Sequence, residues 1–466
     1  MGIYNFSIFN NKIIKHKYLQ EYNSHRIPKE NFIFCQSPFN SLLFESDGTV
    51  YPCCHNYKYN FGKYPLQSIK EIWTNRKINI FKRAIKNNNL SLGCDVCKFD
   101  IENKCYNTVQ ALMFDNFPVN KNGYPSMLDF MLENTCNLEC VMCNGLHSST
   151  IRKHRENREY LKSPYDDNFI LQLEEFIPYL HTARFSGGET FLIDIYYKIW
   201  EKIIEINPKC KIRVQTNATT LNNKVKEILN KGNFEINVSL DSITKSNYEK
   251  IRVHSNFEKV IDNIKYYSYY SWGKNNIFGI TICPMRFNWR ELPDLVRFCN
   301  SVNALIWFSV VWLPPNVAIW TLDSENLKEI YLTLSKIKLS ENNQIESENN
   351  KYYQDLLKVI NKWYKDAIER EKKNDVVKLS VFKESLKNNF RIYLKSFDLD
   401  KKEKEFMLQE FNQKIEIIYS KFNPNDKIIK NYINSIVENS SAIQLIDMLK
   451  RTPENEMYDI VKSFLA

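Results

Sequence analysis

Hydrophobic and polar positions change their period along this chain. From about residue 126 onward, short apolar runs alternate with stretches in which apolar residues recur at i, i+3, i+4 and i+7. Short runs stopped by Gly or polar clusters read as strands, and the 3.6-residue period reads as amphipathic helix. The pattern predicts strands at Ser126–Leu132, Thr182–Phe185, Lys211–Thr216, Phe234–Leu240, Ile277–Cys283 and Leu305–Val311. Helices are predicted at Phe169–Leu180, through Ile193, Ile199, Ile203 and Ile204, at Asn223–Asn230, through Phe257, Val260, Ile261 and Ile264, and at Arg290–Cys299. Six strands alternating with helices imply an α/β fold, a parallel sheet with helical crossovers. The count suits a partial (β/α)6 barrel, whose chemistry would gather at the C-terminal ends of the strands.

The flanks follow other rules. Residues 1–32 read as an N-terminal extension, 33–115 as a Cys-rich module, 120–320 as the barrel and 321–466 as a helical C-terminal region. Within the Cys-rich module, Ile69, Ile72, Trp73 and Ile80 predict a helix over Leu66–Lys86. The C-terminal region is rich in Lys, Glu and Asn, lacks Gly, and carries an apolar stripe at Leu356, Val359, Ile360 and Trp363.

Composition narrows the partners. At 466 residues with 43% hydrophobic positions, the chain can bury a core. The formal charge is +10, but the basic residues are interleaved with Asp and Glu, so a solvated surface accounts for them and nucleic acid is not expected as a partner. Apolar runs fall short of the ~20 residues that span a bilayer, and the N-terminus lacks an apolar signal core. A cytoplasmic protein without membrane contact is expected. Of the 12 Cys, nine lie between Cys35 and Cys143. In a reducing compartment such density argues for metal before disulfide. Cys210, Cys283 and Cys299 read as buried small apolar residues.

Cys136-Asn-Leu-Glu-Cys140-Val-Met-Cys143 places three thiols in a loop after the first barrel strand. Soft anionic thiolates suit an iron–sulfur cluster, and three of them leave one iron open to a small chelating ligand. A structural zinc site is the alternative; it wants four ligands, with His147 as the fourth. Downstream, Ser186-Gly187-Gly188-Glu189 follows the second strand, and its glycines allow close backbone approach to a ligand. Thr216-Asn217 ends the third strand and Ser239-Leu240-Asp241-Ser242 the fourth. Short polar side chains there suit ribose hydroxyls, or else act as helix N-caps. Arg252 offers a guanidinium fork for a carboxylate, or a surface salt bridge.

This set resembles the radical SAM superfamily. The Cys-x3-Cys-x2-Cys spacing matches its signature, Gly187-Gly188-Glu189 its Gly-Gly-Glu motif, and Ser239-Leu240-Asp241 a frequent strand-end motif. The resemblance implies that Cys136, Cys140 and Cys143 hold a [4Fe-4S] cluster whose open iron binds S-adenosylmethionine. It assigns Gly187, Gly188 and Glu189 to the methionine amino group and Arg252 to the methionine carboxylate. Thr216, Asn217, Ser239 and Asp241 fall to the rest of the cofactor. Reductive cleavage would then give a 5′-deoxyadenosyl radical that takes hydrogen from a substrate.

The N-terminal cysteines form a second constellation. Cys35-x12-Gly48-x4-Cys53, a helix carrying Ile72-Trp-Thr-Asn75, and Cys94-x2-Cys97 fit a four-thiolate site for zinc or an iron–sulfur cluster. They resemble the SPASM or twitch auxiliary-cluster module, here ahead of the barrel. That resemblance implies one auxiliary [4Fe-4S] cluster on Cys35, Cys53, Cys94 and Cys97, with Cys54 and Cys105 as alternates for the fourth ligand. Its role, electron relay or substrate binding, depends on whether all four ligands come from the protein. The expected function is radical SAM chemistry on a peptide or protein residue, or else on a small metabolite. A flavodoxin or ferredoxin would supply electrons. A non-enzymatic zinc-dependent nucleic-acid binder is the distant alternative.

Overall fold

The computed structural model describes residues 14–26, 33–102, 104, 106, 109–311, 314, 316–372 and 401–420. Nine strands form one sheet: β1 (Ser41–Glu45), β2 (Thr49–Tyr51), β3 (Gly62–Lys63), β4 (Met127–Met131), β5 (Thr182–Phe185), β6 (Lys211–Thr216), β7 (Phe234–Ser239), β8 (Phe278–Ile282) and β9 (Leu305–Phe308). Their order is β3-β2-β1-β4-β5-β6-β7-β8-β9, an open sheet rather than a closed ring. From β4 to β8 each strand pairs in parallel with the next. The six barrel strands form where the hydrophobic pattern predicts them, within a few residues at their ends.

The N-terminal part holds α1 (His16–Ser24), α2 (Ser37–Asn40), α3 (Ile69–Thr74), α4 (Arg76–Lys86) and α5 (Asp95–Glu102). The sheet continues across the expected boundary near residues 115–120, because β1 pairs in parallel with β4 from Ser41↔Met127 to Glu45↔Met131. The helix expected over Leu66–Lys86 is two helices. Asn75 sits between them in an extended conformation, accepts from Ile78 N as an N-cap, and donates to the Phe61 carbonyl at 2.5 Å. A reciprocal Ser68–Glu71 capping box starts the first of the pair.

The crossovers are α6 (Ser149–His154), α7 (Asp167–Leu173), α8 (Asp194–Ile206), α9 (Asn223–Lys231), α10 (Lys245–Ile251), α11 (Phe257–Gly273) and α12 (Leu292–Ser301). The helix expected over Phe169–Leu180 stops at Leu173 and gives way to a 3-10 turn at Ile177–Tyr179 containing Pro178.

The two faces of the sheet differ because side chains alternate along each strand. One row in register reads Phe44–Phe130–Phe185–Val214–Ile236–Phe278. It is fully buried, and Trp200 of α8 packs edge-on to Phe185 at 5.6 Å. The opposite row reads Leu43–Asp129–Arg184–Arg213–Glu235 and is charged from its second member onward.

Contact density divides the chain into two compact units. The first is residues 1–282 with 294–307 and 341–349; the second is 283–293, 308–340 and 350–466. The second holds α13 (Ser324–Ser335), most of α14 (Gln344–Lys372) and α15 (Lys401–Ser420). On α14, Leu356, Ile360 and Trp363 are buried as the stripe requires, while Val359 is half-buried. Tyr353 donates to the Leu334 carbonyl at 2.9 Å, joining α14 to α13. The C-terminal positions 373–400 and 421–466 lie outside the described residues, so the helical reading there is untouched. Among the described residues no helix is long and apolar enough to cross a membrane. Cys210 and Cys299 are buried as expected, but Cys283 is only half-buried because it sits just past the end of β8.

Tyr196 on α8 fixes the strand ends that carry the motifs. Its hydroxyl donates to the Ser186 carbonyl at 2.6 Å and accepts from Leu132 N at 2.9 Å. Tyr196→Phe leaves a buried N–H and a buried carbonyl without this partner, a loss of about 1–3 kcal/mol. Chemical denaturation should show a lower midpoint with an unchanged slope.

Candidate active site

Leu132 leaves β4 and enters the three-cysteine loop, which is pinned from two sides. Asn134 donates to the Gly145 carbonyl at 2.9 Å, and its own carbonyl accepts from Ser149 N at 2.8 Å. Cys136 N donates to the Ser149 hydroxyl at 3.0 Å, and the Thr150 hydroxyl donates to the Cys136 carbonyl at 3.1 Å, so α6 starts against the loop. On the other side Glu139 N donates to the Val253 carbonyl and Val141 N to that of Ile251.

Cys140 is buried, and Cys136 and Cys143 are half-buried. Burial pushes the thiols up, Cys136 to about 11 and Cys143 to about 12, and the neighbouring thiols raise them further. Three soft donors crowded in a poorly solvated loop become thiolates readily only with a cationic centre. The donor set therefore fits a metal cluster. His147, the fourth ligand of the zinc reading, is exposed. Among the described residues, no three His, Cys, Asp or Glu side chains converge on one point as a single metal ion requires.

Gly187 and Gly188 bring the next loop against the cysteine loop. Both have positive φ, 85° and 48°. A Cβ on Gly188 would lie 2.2 Å from the Thr135 carbonyl oxygen, and one on Gly187 2.8 Å from that of Glu133. Only glycine permits both the conformation and the approach. Glu189 N then donates to the Thr135 carbonyl at 2.7 Å.

The Glu189 side chain turns inward. It is fully buried, accepts from the Thr216 hydroxyl and Asn217 N, each at 2.6 Å, and from Phe191 N at 3.2 Å. Burial pushes its carboxyl above the ordinary value, against the pull of those donors. The Glu189 carboxylate thus serves the fold. Asn217 extends the network, donating to the Asn137 side chain at 3.1 Å and accepting from the Thr219 hydroxyl at 2.6 Å. Asn137 lies next to Cys136. The sequence reading passed over Asn137 and Thr219, whose polar character within a ligand loop was the available signal.

Neither strand-end motif is a helix cap. Asn222 caps α9, and Thr244 stands at the cap position of α10. Ser239 accepts from Gln215 at 2.7 Å. Arg252 is buried and forms an ion pair with the wholly buried Asp241 at 2.7 Å. Its Nη1 lies 3.7 Å from Cys140 Sγ. Arg252 is thus beside the cysteine loop, which excludes the exposed surface salt bridge.

The four N-terminal cysteines proposed as ligands line one cavity. Cys35, Cys53, Cys94 and Cys97 surround it together with His55, Phe81 and Phe114. Burial pushes all four thiols up, and they raise one another. Four thiols around one cavity are the donors that an auxiliary cluster would take. Cys54 turns elsewhere, against the Arg184 guanidinium and near Asp129. Cys105 lies outside the described residues.

Arg184 and Asp129 belong to the charged face of the sheet, where they form an ion pair. Burial pulls Arg184 downward, but Asp129 and Cys54 outweigh it and keep the guanidinium charged. Beside them Glu235 holds Lys211 at 2.6 Å and Arg213 at 2.5 Å. Toward the strand ends the face stays polar, with Asn237 donating to both Gln215 and Thr281.

Comparison with known proteins gives two family matches. The radical SAM superfamily matches residues 132–299, and an iron–sulfur cluster-binding domain matches residues 35–98. A probable GTP 3′,8-cyclase of Methanocaldococcus jannaschii is 25% identical over 231 residues, 48% of this chain and 67% of that protein. One from Methanococcus maripaludis is 24% identical over 179 residues, 37% of this chain and 54% of that protein. The GTP 3′,8-cyclase of Clostridium botulinum is 27% identical over 130 residues, 28% and 39% respectively. Most of these matches thus span about half the relative's length or less. Among solved structures, anSMEcpe with bound AdoMet aligns with a TM-score of 0.36 at 17% identity, covering 45% of this chain and 59% of that one. Streptococcus suis SuiB bound to S-adenosylmethionine aligns at 0.35 and 16% identity, covering 56% of each.

Adjacent cysteines with different surroundings predict different losses. Anaerobically reconstituted protein with two [4Fe-4S] clusters should carry about eight irons per chain. Cys53→Ser should lower the iron count by about four, and Cys54→Ser should leave it unchanged. Iron and sulfide assays check this; equal losses would put Cys54 among the ligands.

Proposed function

The chain belongs to the radical SAM superfamily, with an iron–sulfur cluster-binding module ahead of the barrel, and from that premise we propose that it reductively cleaves S-adenosylmethionine and abstracts hydrogen from a small, polar, anionic substrate. Cys136, Cys140 and Cys143 hold the [4Fe-4S] cluster, and Cys35, Cys53, Cys94 and Cys97 hold the auxiliary one. When bound, the cluster and S-adenosylmethionine supply a 5′-deoxyadenosyl radical, which takes the hydrogen atom. Gly187 and Gly188 let the backbone approach the methionine amino group, and Arg252 faces its carboxylate. Asp241 orients Arg252 through the buried 2.7 Å ion pair. Glu189, Thr216 and Asn217 keep the ligand loops in register through their mutual hydrogen bonds, and Ser239 with Gln215 continues that polar surface.

The observation that carries the substrate class is the inner face. Arg184, Arg213 and Lys211 share this face with Asp129, Glu235 and Glu45 and with polar Gln215, Asn237 and Thr281. Such a surface suits a compact anion bearing hydrogen-bonding groups. The named activity of the sequence relatives, GTP cyclisation, lies in that class. An extended peptide, the first expectation from sequence, is the second reading.

Cluster-loaded protein given dithionite and S-adenosylmethionine should form 5′-deoxyadenosine, and Cys140→Ala should form none. A loaded wild-type sample that makes none refutes the reading. With GTP as the anionic probe, 5′-deoxyadenosine should rise above the level without substrate. A rise with a peptide pool and none with nucleotides, sugar phosphates or carboxylates would return the substrate to the peptide class.

A further inference from the structure

The cavity lined by the four N-terminal thiols also holds one imidazole. His55 stands two residues past Cys53 and lines the same cavity. Its Nδ1 is shut off from solvent and has no hydrogen-bond partner among the described residues. A buried polar atom left without a partner is costly and rare. The other polar side chains around the cavity are engaged. Ser37 donates to the Pro52 carbonyl, and Asn56 donates to that of Leu92 at 2.8 Å while its oxygen accepts from Lys58 N and Tyr59 N. The thiols are supplied with donors of their own. Cys35 accepts from Ser37 N at 3.4 Å, Cys53 from the amides of His55 and Asn56, and Cys97 from that of Ala111. The Asn56 side-chain nitrogen lies 4.0 Å from Cys94 Sγ. Such N–H contacts stabilise thiolate charge against the effect of burial. The backbone of His55 thus serves Cys53, and its side chain is left over.

We propose that His55 donates a hydrogen bond from Nδ1 to a sulfur of the auxiliary cluster, without being one of its ligands, and thereby raises the cluster's reduction potential. The inference rests on the assignment of Cys35, Cys53, Cys94 and Cys97 to that cluster. Thiolates and inorganic sulfides only accept, so a nitrogen among them is satisfied when it carries the hydrogen. Ligation by the imidazole suits the site less, because four thiolates already complete the ligand set of a cubane. One added electron makes the sulfurs more negative, and a hydrogen bond to a more negative acceptor is stronger. The donor therefore favours the reduced form over the oxidised one, which is how hydrogen bonds to the sulfurs set a cluster's potential.

The test uses the full chain with Cys136, Cys140 and Cys143 replaced by Ala, so that anaerobic reconstitution loads the auxiliary site alone. Iron and sulfide assays give its content, about four irons per chain. Titration with dithionite, followed by electron paramagnetic resonance, gives its potential. His55→Phe keeps an aromatic ring and removes the donor. At the potential where the parent is half reduced, its reduced-to-oxidised ratio should fall about tenfold, ~59 mV for one electron, with the iron count unchanged. His55→Asn puts an N–H back near the same point of the side chain, and its ratio should stay within about twofold of the parent. Circular dichroism checks the fold, and His55→Ala replaces the Phe variant if that one does not fold. Full iron with an unchanged ratio in the donorless variant overturns the hydrogen bond. A folded donorless variant that loses its iron makes His55 a ligand and overturns it too. A folded parent that takes up no iron removes the auxiliary cluster itself, a failure visible before His55 is changed.

Discussion

A single buried carboxylate holds the ligand loops together. Glu189 belongs to the loop after β5, yet its oxygens take donors from the end of β6 and from its own turn. A buried charge is expensive unless it is fully hydrogen-bonded, and two contacts at 2.6 Å with a third at 3.2 Å supply those bonds. The same donors cannot move without exposing the charge, so the ends of β5 and β6 are fixed relative to each other. Asn217 carries the constraint into the cysteine loop through Asn137. The chain thus uses one costly group to set the spacing of three loops, which is what a preorganised ligand site requires.

The sequence made the barrel legible because its signals are local. Period-2 and period-3.6 patterns, and glycines after a strand, identify β4 to β9 and the loop at Gly187-Gly188 without tertiary knowledge. The strand β1 escaped because it is five residues long and its partner β4 lies more than eighty residues away. The break at Asn75 escaped for a similar reason, since its side chain answers to the Phe61 carbonyl, a partner outside the helix. The strand-end residues show the subtler limit. Thr216, Asn217 and Asp241 were recognised as polar groups near a ligand, and they are there. Sequence could not show that each already has a protein partner, because a hydrogen bond to Glu189 or Arg252 and one to a ribose demand the same residue types.

Cys53 and Cys54 show how far a one-residue shift matters. Their Cα atoms are separated by a single peptide unit, about 3.8 Å. One thiol faces the N-terminal cavity and the other faces Arg184 and Asp129 on the charged inner surface. The wall between the auxiliary site and the proposed substrate surface is therefore only one residue thick. This bears on what the auxiliary cluster does. Were Cys35, Cys53, Cys94 and Cys97, which all line the cavity, to ligate a cubane together, every iron would have a protein ligand and none would be open to chelate substrate. Under that ligand set, proximity without an open coordination position would favour electron relay across the wall over direct substrate binding.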